Sequence, residues 1–253
     1  MDVFKIKLFN LIKKLVNSVL RFHRSPKTEL NNILLKIKSL IKLMVEKKLL
    51  KKYKNEIIRL KNKKMESPVR LQFGCGPRIL KDWINIDISF QKHEEYEIRD
   101  LHSKQNSGAS NNLFIIDITK ISLPLNDNSV ECIFHEDFIE HLCQKDQIIF
   151  LAETYRILKP GCVHRINTPD LNMSLLRSEF NKGRAGVNVS EWNDHDHINV
   201  LSKNYLREIA LIIGYSNVKF NSKNVSISPL IPEELRPGND RQESENFFCD
   251  LIK

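Results

Sequence analysis

Two glycines bracket a cysteine at Gly74-Cys75-Gly76, directly after the apolar alternation Val69–Phe73, and an acid, Asp87, stands near the end of the next apolar run, Trp83–Ile88. A Gly-x-Gly turn at a strand end lets the backbone pass close to a ligand, and the amides beyond it can receive a carboxylate or phosphate. An acid at the tip of the following strand can accept hydrogen bonds from both hydroxyls of a ribose. Taken alone the glycine pair is a weak signal, because such turns also do plain structural work. The pattern then repeats: Asp117 stands near the end of Leu113–Ile118, and Glu136 and Asp137 lie just beyond the run Val130–Phe134. Helix caps or loop hydrogen bonds are the alternative use of Asp87 and Asp117.

Histidines form the second set. His141 follows the fourth apolar run and His135 lies closer to its tip. A histidine there can take a proton from an acceptor hydroxyl, or can tether the start of the next helix. Asp194-His195-Asp196-His197 gathers two imidazoles and two carboxylates in one stretch, and in an extended segment the two histidines share a face. The run can serve as a base, an acceptor contact or part of a cation site, or simply as a polar lid loop. Four residues from one local stretch rarely complete a metal site, and the five cysteines include no CxxC pair, so no metal is expected. His141 and His195 are the candidate bases. Trp192, Arg241 and Glu243 are further candidates for acceptor contact.

These residues must be held by a core, and the chain has one. Its 253 residues are 41% apolar and 28% charged, which excludes a wholly disordered or collagen-like chain. Lysines interrupt even the greasiest stretch, residues 3–20, so a polytopic membrane protein is excluded too. The odd, scattered cysteines read as reduced thiols, and no secretory leader is read at the N-terminus, so the cytoplasm is the expected compartment.

Charge divides the chain. Residues 1–70 hold 20 Lys+Arg against 5 Asp+Glu, whereas residues 71–253 hold 20 against 26. Residues 1–66 are read as a basic helical arm, with Phe4, Leu8, Leu11, Ile12, Leu15 and Val19 forming one amphipathic stripe and Leu34, Ile37, Ile41 and Met44 another. Such an arm can pack or self-associate, lie on an anionic membrane surface, or grip nucleic acid. The last ranks lowest, because no aromatic is placed for base stacking. Residues 67–253 are read as the domain.

The segments LQFGCG, WINIDIS, FIIDITKISLPLNDNSVECIFHEDFIEHL and ETYRILKPGCVHRINTPDL occur in an order that resembles the class I S-adenosylmethionine-dependent methyltransferases. The resemblance covers roughly residues 69–171, with a looser match to the C-terminus. It implies an α/β fold with a Rossmann-like seven-stranded sheet, the last strand inserted antiparallel, here with an N-terminal basic helical extension. It also implies S-adenosyl-L-methionine as cofactor. Gly74, Cys75 and Gly76 would then border the methionine moiety, and Asp87 with Ile88 would meet the ribose. Asp117 and Ile118 would meet the adenine, and Glu136 and Asp137 would lie under the methionine end.

The sequence departs from that pattern after Gly76. Only seven residues separate it from Ile84, too few for a three-turn helix, so a short turn, with Arg78, is expected to hold the cofactor's carboxylate. The expected reaction is methylation, at oxygen, of a small molecule, sugar or lipid-linked glycan, at the inner membrane surface if the arm docks there. A non-catalytic adaptor and a nucleic-acid methyltransferase are the alternatives.

Overall fold

The computed structural model describes residues 51, 53–76, 78–88, 97–99, 112–177, 195–223, 225–231 and 242–253. The expectations on the arm up to residue 50, on Trp192, Asp194 and Arg241 lie outside these residues. The chain divides into two units, 1–52 and 53–253.

The second unit is built on one mixed sheet. Its strands are β1 (Arg70–Phe73), β3 (Ile84–Asp87), β5 (Leu113–Ile115), β6 (Val130–Glu136), β7 (Leu158–Pro169), β8 (Asn217–Asn221) and β9 (Asn246–Ile252), and their order across the sheet is β5-β3-β1-β6-β7-β9-β8. The first five pair in parallel; β9 runs antiparallel between β7 and β8. This is the seven-stranded sheet, with its inserted antiparallel strand, that the ordered motifs imply. Parallel strands need both faces covered. Side chains therefore alternate between two cores: Leu71, Phe73, Ile133 and Ile166 pack in one with helical side chains, while Cys132 and Phe134 pack in the other with Leu80, Trp83 and Ile231. Each large apolar side chain so buried contributes roughly 1.5–3 kcal/mol.

Among the described residues the helices are α1 (residues 53–61), α2 (Gln144–Ile157), α3 (Leu171–Arg177) and α4 (Lys203–Ile213). The compact unit starts at Tyr53, so residues 53–66, grouped with the arm on charge, fold with the domain: Tyr53 and Leu60 are buried in its core clusters. Helix α4 shows why the local sequence suffices. Ser202 caps its start by accepting from the Tyr205 amide at 3.3 Å, and Gly214 ends it at φ 124°, where a Cβ would lie 2.9 Å from the Tyr155 ring.

Between β1 and β3 the chain makes the three-residue strand β2 (Arg78–Leu80), paired in parallel with β4 (Glu97–Arg99), in place of a helix. Buried Asn85 secures this short connection. Its amide accepts from the Leu80 N–H at 2.9 Å and donates to the Leu80 and Trp83 carbonyls at 3.0 and 2.9 Å. One side chain thereby satisfies backbone groups that a helix would have paired internally.

The charged pair inside β7 is equally well accounted for. Arg165 Nη1 lies 3.2 Å from Asp250 on β9, with both side chains sealed from solvent, and its Nη2 donates to the Ser222 and Lys223 carbonyls. Asn221, Ser226 and the Ile227 amide complete the shell of Asp250. A buried ion pair is tolerated only when hydrogen bonds satisfy its remaining atoms in this way.

Candidate active site

The chain leaves β1 through Gly74 (φ 59°) and Gly76 (φ 50°). At Gly74 conformation and packing both exclude a side chain, since a Cβ would meet the Phe138 ring at 2.5 Å. At Gly76 a Cβ would meet nothing within 4 Å, so the backbone there borders open space. The Gly76 amide donates to Asp87 Oδ2 at 2.9 Å, which ties the turn to the tip of β3. Cys75 Sγ lies 4.0 Å from the same oxygen, and burial, then the Asp87 charge, push its thiol up to about 12. Cys75 is thus a small neutral packing group.

Arg78 crosses from this turn to the end of β6, where its Nη1 lies 3.2 Å from Glu136 Oε2. Asn167 at the end of β7 donates to the other oxygen of Glu136. Asp137 follows at φ 48°, with its amide bonded to the Asn167 carbonyl at 3.0 Å. The ends of β1, β3, β6 and β7 therefore present an arginine and three acids along one edge of the sheet.

The adenine-side candidates divide. Asp117 Oδ1 accepts from both the amide and the hydroxyl of Thr119, at 3.0 and 2.6 Å, so this acid caps the turn after β5. The Ile118 side chain is packed into the core at 3% exposure, which leaves its backbone as the part that can meet an adenine; Ile88, at 51%, is the open apolar neighbour of Asp87.

Beyond Asp137 the Phe138 ring covers Gly74, and a single turn of 3-10 helix, Ile139–His141, follows. Residues 198–199 are clamped onto that turn. The Ile198 and Asn199 amides both donate to the Glu140 carbonyl, and the Gln147 amide bridges the Ile139 and Asn199 carbonyls at 2.9 Å each. This brings both candidate bases to one corner. The His141 and His197 rings lie 4.9 Å apart, His195 stacks on His197 at 5.6 Å, and His141 Nδ1 lies 3.3 Å from the Asp196 carbonyl oxygen. Burial and then the charge of His197 lower the basicity of His141. The Glu140 carboxylate, fully buried, accepts from Thr168 Oγ1 at 2.9 Å and faces His197 Nε2 at 3.9 Å.

His135 belongs elsewhere. Its side chain points into the core between Phe138, Phe150 and His164, neither ring nitrogen has a hydrogen-bond partner among the described residues, and burial pushes it down to about 3. It is a packing residue.

Residues 71–166 match the family model described as a methyltransferase domain. Residues 71–166 are thus those of a methyltransferase domain. No curated protein matches the sequence. Among solved structures it is similar to a SAM-dependent methyltransferase from Archaeoglobus fulgidus, at 16% identity over 79% of this chain and 90% of that one, with a TM-score of 0.46. A SAM-dependent methyltransferase from Methanosarcina mazei follows at 13% identity, 76% and 95% coverage and a TM-score of 0.47. Phosphoethanolamine N-methyltransferase 2 of Haemonchus contortus, solved with S-adenosyl-L-methionine, shares 14% identity over 79% of this chain and 52% of that one, with a TM-score of 0.44.

The methyltransferase cofactor carries a carboxylate, an ammonium, a ribose diol and an adenine, and the edge residues suit these groups. Gly76 borders the open space, Asp87 offers carboxylate oxygens at the β3 tip, Arg78 has N–H donors beyond the one directed at Glu136, and Glu136 and Asp137 supply negative charge for an ammonium. S-adenosylmethionine supplies the methyl group on a sulfonium that is already a good leaving group. The protein's task is therefore to hold the acceptor in line and receive its proton.

Some site residues escaped the sequence reading. Phe138, Glu140 and Thr168 sit in recognised segments, but their partners are Gly74, His197 and each other across the fold. The adjacency Glu140-His141 directly after a strand tip was the available signal.

Proposed function

We propose that this methyltransferase transfers its methyl group to an oxygen of a small molecule, a sugar or a lipid-linked glycan. The observation that carries this reading is the imidazole corner of His141, His195 and His197 on the turn that follows Phe138, the ring covering Gly74. An amine acceptor needs chiefly to be held unprotonated, whereas a hydroxyl must lose a proton as it attacks, and imidazoles beside the strand tips serve that need. The excess of lysine in residues 1–70 supports docking at an anionic membrane surface, where a lipid-linked acceptor would reside.

The test is incubation of the full chain with 13C-methyl-labelled cofactor and extracts of polar metabolites and of lipid-linked glycans. The expected result is a methyl resonance at an O–CH3 shift in a hydroxyl-bearing product. Label recovered on nitrogen or sulfur, or in nucleic acid, would overturn the reading. Sedimentation with anionic but not neutral vesicles checks the docking, and its absence at low salt would remove the membrane part alone.

A further inference from the structure

Glu140, His141 and His197 each offer one ligand atom, and these atoms lie within 4.8 Å of one another. Around a tetrahedral zinc ion with bonds of about 2.1 Å, pairs of ligand atoms stand roughly 3.1–3.8 Å apart. Glu140 Oε1 and His197 Nε2, at 3.9 Å, stand close to that range, and are too far apart for a direct hydrogen bond. The third ligand atom, on His141, lies within 4.8 Å of both.

The supporting contacts have the form that metal ligands require. A ligating imidazole is oriented by a hydrogen bond from its other nitrogen to a carbonyl or carboxylate, and ligating carboxylates are themselves hydrogen-bonded. His141 Nδ1 has the Asp196 carbonyl oxygen at 3.3 Å, which makes it the protonated nitrogen and leaves Nε2 its lone pair. Thr168 Oγ1 holds Oε2 of Glu140 at 2.9 Å and so turns Oε1 toward His197. Asp196 adopts φ 55°, a left-handed conformation uncommon for a residue with a side chain, and in it the carbonyl of Asp196 reaches His141 while the next residue's ring reaches Glu140. Exposed carboxylates gather without metals; Glu140 is fully buried, on a turn whose carbonyls accept three hydrogen bonds, from the Ile198 and Asn199 amides and the Gln147 side chain.

We propose that Glu140, His141 and His197 form a binding site for a divalent transition-metal ion of the zinc class, at the corner where the acceptor reading places the methyl acceptor. Two imidazoles and one carboxylate bind such an ion while leaving a coordination position open, and an acceptor hydroxyl or carboxylate is the ligand that position takes. Only this role rests on the acceptor reading. Existence of the site does not, because the metal is measured without cofactor or acceptor.

The experiment is titration of the metal-stripped full chain with Zn2+ against a chromophoric chelator, and with Co2+ followed by visible absorption. One equivalent of Zn2+ is expected, with Co2+ giving d–d bands of a nitrogen- and oxygen-ligated site. Glu140→Gln, which keeps the shape and an acceptor for Thr168, and His197→Gln should each weaken Zn2+ binding by 10-fold or more, with unchanged circular dichroism. Cys143→Ser, which removes the exposed thiol beside the corner, should leave it unaltered. No stoichiometric binding by the folded protein would overturn the proposal, as would binding that survives Glu140→Gln and His197→Gln or is lost in Cys143→Ser. O-methyl transfer without metal binding would sink this site and spare the acceptor reading; metal binding with label on nitrogen would do the reverse.

Discussion

Two histidine pairs lie at nearly the same ring separation in this molecule, His135 with His164 at 5.1 Å and His141 with His197 at 4.9 Å, and their surroundings make them different objects. The first pair projects from adjacent strands β6 and β7 into the core, edge-on to Phe150, with the Tyr215 hydroxyl 3.4 Å from His164 Nδ1. Burial holds both rings well below the usual imidazole range, so they stay neutral and pack. The second pair stands at the sheet edge, with a buried carboxylate on one side and His195, exposed, on the other. A pair of imidazoles becomes a site when a charged partner and an open approach are both present; proximity of the rings is not enough.

The strongest way to break the contrast is to unseal the inner pair. Phe150 touches both inner rings and the Phe73 and Phe138 rings, so Phe150→Ala should lower stability by about 3–5 kcal/mol, read as a fall in the urea midpoint. A loss below about 1 kcal/mol would mean that the aromatic packing around the pair is not what holds this core.

Acid probes the same pair. The folded-state values of His135 and His164 are depressed, so the unfolded chain takes up their protons first as pH falls below about 6.5. The stability that depends on their neutrality is therefore complete above that pH and is lost downward through the window to about 3 for His135, at about 1.4 kcal/mol per pH unit for each ring. His135→Phe should flatten the slope. An identical slope in the variant would show that other groups govern acid unfolding.

The outer pair is tested by turnover. His141→Gln should slow methyl transfer by about 10²-fold or more with the melting curve nearly unmoved, because the residue is exposed and at the edge. Equal turnover in the variant would remove His141 from the reaction. The smallest effect belongs to the residue beside it: Cys143 begins α2 without a side-chain cap, and Cys143→Ser should add about 0.5–1 kcal/mol by supplying one. A destabilised variant would argue that the thiol has a contact of its own.

The contrast also explains what was legible in the sequence. Gly74, Gly76 and Asp87 announce themselves because a tight turn and a strand-tip acid lie within one strand–turn–strand segment, and the order of such segments carries the whole sheet topology. The inner histidines are half legible: His164-Arg165 places two polar side chains inside an apolar strand, but Tyr215 and Asp250, which accommodate them, come from distant segments. The outer corner was least legible. The Asp-His-Asp-His run gave His195 and His197 without Glu140, and the hydrogen bonds from residues 198 and 199 to Glu140 exist only after folding.

Calorimetric titration with S-adenosylhomocysteine of the wild type, Asp87→Ala and His141→Gln tests the account most directly, because it assigns the two ends of the site separately. The prediction is micromolar binding by the wild type, loss of 10²-fold or more in Asp87→Ala as hydrogen bonds to a charged carboxylate disappear, and retention within a few-fold in His141→Gln. Undiminished binding by Asp87→Ala, or its collapse in His141→Gln, would contradict the placement of cofactor at the glycine turn and acceptor at the histidine corner.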